Sequence, residues 1–300
     1  GAERLPRKGE TVLATSFGMF TGGKGANQAV QAGRLGADVS MVGRVGCDFM
    51  GDRILKSLEE SGVRTEFVLR DERASTSACC IHVDANGDNA IIISPDANMA
   101  CLVEDIERAR GVILSSDLVV FQLEIAMEAI EHAVRMVSDA GIPSIMNPAP
   151  ANRVSPWLFS LVDMLTPNET EAEFFSGVSI PVTSDDSLAW ENAAADSLLA
   201  KGPEAVIITL GKRGAFLAYG SGRKLVPTFT RIKAVDTTAA GDAFNGALAV
   251  ALAEGRTLDE AVVFANAAGS LAASRRGAQS SLCTRRELED FLNEENANAD

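Results

Sequence analysis

Asp236-Thr-Thr-Ala-Ala-Gly-Asp242-Ala-Phe-Asn-Gly246 leads without a break into the apolar segment 247–253. The small residues Ala239, Ala240 and Gly241 let a backbone approach a ligand closely. The amides of a first helical turn have no acceptor inside their own helix, and together with the helix dipole they favour an anion. Asp242 stands against that preference, because a carboxylate repels an anion unless it has a task beside it. Taking a proton from an attacking hydroxyl is such a task. The plainer reading makes Asp242 a helix cap or a partner of the dipole, as most acids at helix starts are. That reading leaves Asp236, the two threonines and the two alanines unexplained.

Working outward, a second glycine-rich stretch lies far upstream: Thr21-Gly-Gly-Lys-Gly-Ala-Asn27-Gln-Ala-Val30, continuing to Leu35-Gly36. Gly18, Gly23 and Lys24 nearly write a Walker loop, but Gly25 stands where the magnesium-binding Ser or Thr is required, which excludes it. The stretch reads instead as a turn against a small polar ligand. Asn27 offers both donor and acceptor, and Ala26, Ala29, Val30 and Leu35 form a buried helix face. A plain strand-to-helix turn is the competing account.

Between the two stretches, strand and helix character alternate, which predicts an α/β fold with a doubly wound, mostly parallel sheet sandwiched by helices. The short apolar runs 39–42, 118–121, 144–146, 162–165 and 206–209 suit strands buried on both faces, with helices over 127–140 and 186–199. Ligands on such sheets bind beyond the carboxyl ends of the strands. Glu124, Asn147, Asn168 and Gly211 each follow a strand end and point to one crevice. Residues 10–20 and 75–93 break the rhythm and read as antiparallel strands, the latter a hairpin turned at 84–88. Only the tail, 293–300, looks disordered.

Composition narrows the function. Three hundred residues with 46% hydrophobic content can bury a large core. A net charge of -14 argues against a broad nucleic-acid surface, so an anionic ligand must be held by local devices. The five cysteines form neither a metal pattern nor a disulfide framework, and Cys79-Cys80 reads as small apolar packing in a β run. A reducing cytoplasm fits. No apolar run reaches membrane-spanning length. With only His82 and His132, histidine catalysis and zinc binding have little material.

The two glycine-rich stretches resemble the signature regions of the ribokinase family of sugar and nucleoside kinases. Gln122-Leu-Glu124, Asn147-Pro-Ala-Pro150, Thr166-Pro-Asn168-Glu-Thr-Glu171, Thr209-Leu-Gly211-Lys-Arg-Gly214 and Gly277-Ala-Gln-Ser-Ser281 match the family's pattern in order, and the likeness runs from about residue 5 to residue 292. The resemblance implies transfer of the γ-phosphoryl group of ATP to a primary hydroxyl of a pentose, most simply D-ribose. Asp242 would be the base, and the amides from Ala239, Ala240 and Gly241 to Asp242 the anion hole. Gly22, Gly23, Lys24, Asn27 and Glu124 would bind the sugar. Asn168 and Glu171 would serve the magnesium and phosphate region, although the same pair also spells a capping box. Thr209, Gly211 and Gly214 would hold the nucleotide, with Asn266 near adenine, while Gly211-Lys-Arg-Gly214 also makes a reasonable turn. A potassium site is implied at Asp236, Thr238, Ala272, Arg275, Gly277 and Ser281.

The resemblance also implies a β lid, residues 5–21 and 75–98, over a core of residues 22–74 and 99–300, with a homodimer formed through the lid. Family members begin with a strand of the type Gly-Ser-x-Asn-x-Asp, whose acid binds the sugar. This chain starts at Gly1-Ala-Glu-Arg-Leu-Pro, so it is expected to lack its natural first core strand. Relatives with the same apparatus act on deoxyribose, fructose or nucleosides. A non-catalytic sugar or nucleotide sensor on the same scaffold is the alternative of another class.

Overall fold

Residues 205–209, Ala-Val-Ile-Ile-Thr, show why the core is a layered sheet. Successive side chains of a strand point to opposite faces. Val206 and Ile208 enter one apolar cluster with Ile130, Val134, Leu165 and Leu198, whereas Ile207 enters another with Ile145, Leu217, Leu248 and Phe264. Both faces are covered, so the strand is apolar throughout rather than alternating.

The computed structural model describes residues 1–85, 89–181, 188–229 and 231–297. In chain order the elements are α1 (Lys24–Arg34), β1 (Val39–Gly46), α2 (Phe49–Glu60), β2 (Val63–Asp71), β3 (Ala78–Val83), β4 (Asn89–Ser94), α3 (Val103–Arg108), α4 (Arg110–Leu114), β5 (Val119–Phe121) and α5 (Met127–Asp139). There follow β6 (Ser144–Met146), β7 (Met164–Leu165), α6 (Glu169–Ser176), α7 (Ala189–Leu199), β8 (Ala205–Thr209), β9 (Ala215–Tyr219), β10 (Gly222–Val226), α8 (Ala240–Ala253), α9 (Leu258–Ala273) and α10 (Arg285–Ala297). Six strands form the main sheet in the order β10-β9-β8-β7-β6-β5. The pairs from β5 to β8 are parallel, and β9 and β10 add antiparallel. Helices cover both faces, so the doubly wound α/β expectation is borne out.

Three features differ from the expected pattern. β1 runs on to Gly46 and pairs with β2 in a separate parallel sheet, so among the described residues β1 and β5 each pair on one side only. Residues 10–20 form no strand: their one bridge joins Ala14 to Ala2, and Leu13 and Phe17 stand 91% and 87% exposed. A strand exists only against a partner edge, and this segment finds none beyond Ala2. The tail is helical through Ala297, because residues 285–297 continue α10 with Leu288 buried against the core. Residues 298–300 lie outside the described residues, as do 182–187, which include the expected start of α7.

The expected hairpin is present as β3 and β4, with Cys79 opposite Ile93 and Cys80 opposite Ile92; part of its turn, 86–88, lies outside the described residues. Cys79 and Cys80 are exposed rather than packed, since a two-stranded ribbon has no second layer of its own. The foot of the hairpin is fixed where buried Thr76 donates from its amide and hydroxyl to Asp48, and where the Ala97 amide donates to Ser75 O. Among the described residues no helix is long and apolar enough to cross a membrane.

Candidate active site

Helices α1 and α8 touch so closely that a Cβ added at Gly246 would lie 2.6 Å from the carbonyl oxygen of Gln28. This contact brings the two glycine-rich stretches of the sequence together. Residue 239 turns the chain into α8 with φ +59, an uncommon conformation for alanine, and Asp242 falls in the first helical turn.

Asp242 is buried, and α1 supplies its partners. Asn27 Nδ2 donates to Oδ2 at 2.8 Å, and Gln28 Nε2 donates to Oδ1 at 3.1 Å. Burial pushes the Asp242 carboxyl up to about 6, opposed by the charge of Lys24 and by these two amides, and reinforced by Glu124. A carboxylate tuned to that range is ionised at neutral pH yet basic enough to accept a proton. Asn27 Oδ1 is buried without a partner, the one acceptor of this cluster with nothing to bind.

Glu124 follows β5, and its Oε2 accepts the amide of Lys24 at 2.8 Å, so an acid sits at the start of α1. Gly23 has φ +96, a left-handed conformation that glycine permits, and it opens α1 towards Glu124. Of the residues expected to meet the sugar, hydrogen bonds thus join Lys24 to Glu124 and Asn27 to Asp242, with Gly22 and Gly23 leading into the same helix start.

Asn168 and Glu171 do form the capping box. Asn168 Oδ1 accepts the Glu171 amide and Glu171 Oε2 accepts the Asn168 amide, both at 2.9 Å, closing the start of α6. Burial raises the Glu171 carboxyl above its ordinary value against the pull of the Asn168 amide and the Lys24 charge. Among the described residues there is no cluster of three or more His, Cys, Asp or Glu suited to a metal ion.

The expected anion hole is partly engaged, because the Ala240 amide donates to Thr237 O at 3.2 Å. Asp236 ties the neighbouring loops together. Its Oδ1 accepts from the amide and hydroxyl of Thr238, and its Oδ2 accepts from the Gly277 amide at 2.9 Å. Although partial burial works the other way, these hydrogen bonds hold the Asp236 carboxyl below its usual value. Ala272 is buried at the end of α9, Arg275 pairs with Glu287, and the Ser281 hydroxyl donates to Ala278 O.

The nucleotide candidates divide. Thr209 ends β8 and bridges to Asn168, and a Cβ at Gly211 would meet nothing within 4 Å, so Gly211 borders open space. Gly214 is explained by packing, since a Cβ there would lie 2.1 Å from Val226 O. Asn266 is buried on α9 and donates to Val226 O at 3.0 Å, which fastens α9 to the end of β10.

Asn147 follows a strand end as expected and meets this cluster, whereas Gln28 and Gln122 join it without having been singled out in the sequence. Gln28 is the next residue after Asn27 on a helix whose other inward residues are largely apolar. Its role becomes visible only in the packed helix pair, where its buried amide needs partners.

The sequence profile of the pfkB family carbohydrate kinases matches residues 2–285. The chain is 40% identical over 292 residues to a ribokinase of Bacillus subtilis, covering 97% of this chain and 94% of that one. It is 36% identical over 290 residues to a deoxyribokinase of Salmonella typhimurium, covering 96% and 93%. Among solved structures, that of Arabidopsis thaliana ribokinase complexed with ribose and ATP superimposes with a TM-score of 0.88 at 31% identity, covering 97% and 93%. With the α1–α8 crevice and its buried aspartate, these likenesses bear out the resemblance read from the motifs: the chain belongs to the pfkB family of carbohydrate kinases.

Proposed function

We propose that this protein is an ATP-dependent sugar kinase that phosphorylates the 5-hydroxyl of D-ribose, giving ribose 5-phosphate and ADP. The observation that carries the reading is Asp242, buried and gripped by the amides of Asn27 and Gln28 beside an unpartnered acceptor, Asn27 Oδ1. As the sugar oxygen bonds to the γ-phosphorus, the bond from that phosphorus to the bridging oxygen of ADP breaks. The hydroxyl proton passes to Asp242. Amides at the start of α8 stabilise the charge on the migrating group. Asn27 and Glu124 orient hydroxyls, since an amide and a carboxylate each bind them in more than one direction.

Asn168 and Glu171 would hold the magnesium that accompanies ATP, through water, because their side-chain oxygens already close the α6 cap and magnesium gives up its water reluctantly. The ion would neutralise phosphate charge. Thr209 and Gly211 border the nucleotide; the packing duties of Gly214 and Asn266 leave their proposed nucleotide roles resting on the family pattern. The loops joined by Asp236, with Thr238, Ala272, Arg275, Gly277 and Ser281, would hold a potassium ion. A rate indifferent to replacing potassium by a large organic cation would remove that site. The β3–β4 hairpin, with residues 5–21, would act as the lid, and exposed Ile81, Ile92 and Ile93 would pair it with a second copy. Five free thiols suit a cytoplasmic setting.

A second reading, 2-deoxyribose as the substrate, is favoured by the likeness to the deoxyribokinase. ADP release measured with D-ribose, 2-deoxyribose, fructose and adenosine in potassium and magnesium decides. Ribose-selective turnover is expected, preference for the deoxy sugar would transfer the assignment, and binding without turnover would leave a sensor.

A further inference from the structure

Asp242 is gripped by two consecutive residues of α1, and the two are not equivalent. Asn27 gives one amide hydrogen to Asp242 Oδ2 and keeps its buried oxygen for a ligand. Gln28 has no hydrogen to spare. Its Nε2 donates to Asp242 Oδ1 and to Asn147 Oδ1, each at 3.1 Å, and its Oε1 accepts from Gln122 Nε2 at 2.6 Å.

The direction of every amide in this chain follows from one group that can only accept. The main-chain oxygen of Thr166, at the end of β7, takes Asn147 Nδ2 at 2.9 Å. Asn147 must therefore turn its oxygen to Gln28, and Gln28 must turn its nitrogen to both Asn147 and Asp242. Turned the other way, the Gln28 oxygen would face two acceptor oxygens inside the protein. The same residue reaches the anion-binding turn, since Thr166 Oγ1 donates to Asn245 Oδ1 at 2.5 Å and Asn245 Nδ2 donates to Gly241 O at 2.8 Å. The end of β7 is thus the common reference for the aspartate and for the first turn of α8.

We infer that Gln28 is the positioning residue of the base: it fixes the rotation of the Asp242 carboxylate through an amide chain anchored on Thr166, while leaving Asn27 to the substrate. This rests on the reading of Asp242 as the base. A neutral amide suits the role, because it orients a carboxylate without supplying a formal charge that would make it a much weaker base. The charged groups that face Asp242, Lys24 on α1 and Glu124 after β5, are untouched by changing Gln28.

The test is Gln28→Met, assayed for kcat and for sugar KM across pH, alone and combined with Asp242→Asn. We expect kcat to fall roughly 10- to 100-fold, within the range of a misplaced general base, with sugar KM within about threefold. The acidic limb of the profile should move up by about one pH unit, because a donor to the ionised carboxylate is lost. In the Asp242→Asn background, Gln28→Met should add almost nothing. Gln122→Met, at the half-buried end of the chain, should shift the limb in the same direction by less, and it keeps the question answerable if Gln28→Met does not fold. Unchanged kcat and limb in either soluble variant, or losses that multiply in the double variant, would overturn the inference. Wild-type turnover in Asp242→Asn alone would instead overturn the base, whatever Gln28 does.

Discussion

The α1–α8 crevice and the β3–β4 hairpin invert the usual distribution of side chains in opposite senses. In the crevice, Asn27, Gln28, Asn147, Asp242 and Asn245 are all buried, and all are hydrogen-bonded. On the hairpin, Ile81, Ile92 and Ile93 are 51%, 67% and 54% exposed. Buried polar groups and exposed apolar ones are the informative exceptions in a folded chain, and each implies something further to meet. The crevice is hydrogen-bonded throughout except at one acceptor, Asn27 Oδ1, which suits placing a reactive hydroxyl. The hairpin is fixed at its foot by Thr76 and Ala97 and touches the chain start where the Ala85 amide donates to Glu3 O, while its isoleucines stand out, which suits pairing.

The largest effect that would break this contrast lies in the crevice. Asp242→Asn should lower turnover by roughly two to four decades, as expected for loss of a general base, measured as steady-state ADP release; wild-type turnover would make the crevice merely structural. Next comes pH. With the Asp242 carboxyl pushed up to about 6, kcat/KM should be flat above that value and fall tenfold per unit below it, because the protonated carboxyl cannot accept the hydroxyl proton. A limb near pH 4 would deny that burial tunes the site. Third, Gly246→Ala should destabilise by about 1–3 kcal/mol, since the new methyl meets the Gln28 main chain and the helices must part; a thermal melt at unchanged Tm would mean that the contact yields. The smallest effect belongs to the hairpin, where Ile92→Thr should change monomer stability by less than about 0.5 kcal/mol. The same variant should weaken self-association in sedimentation, and a loss of stability instead would show that the hairpin packs like core.

The two regions also differ in how far they could be read from the sequence. The sheet was legible where strands are buried on both faces, as at 144–146 and 206–209, because apolar runs record burial directly. Residues 10–20 have suitable strand residues but no partner edge, and strand pairing is a relation that one segment cannot encode. Cys79 and Cys80 misled for a similar reason: an apolar pair shows a tendency to pack, not whether a second layer exists to receive it. In the site, Asp242, Asn27 and Glu124 were recoverable from their company of glycines and strand ends. Gln28 was not, because successive helical residues point about 100° apart and only the close approach at Gly246 lets both reach one carboxylate. Gly214 and Asn266 carry the family's spacing, yet both have packing tasks at the end of β10, which spacing alone does not reveal.

One more consequence lies in the closed start of α6. The carboxylate of Glu171 is buried, and one of its oxygens holds the amide of Asn168. Anything bound there that draws on this carboxylate competes with the helix for it, so occupancy and fraying of the first turn are reciprocally linked. The exchange rate of a single main-chain hydrogen, that of Asn168, therefore works as a built-in gauge of how strongly the crevice is loaded.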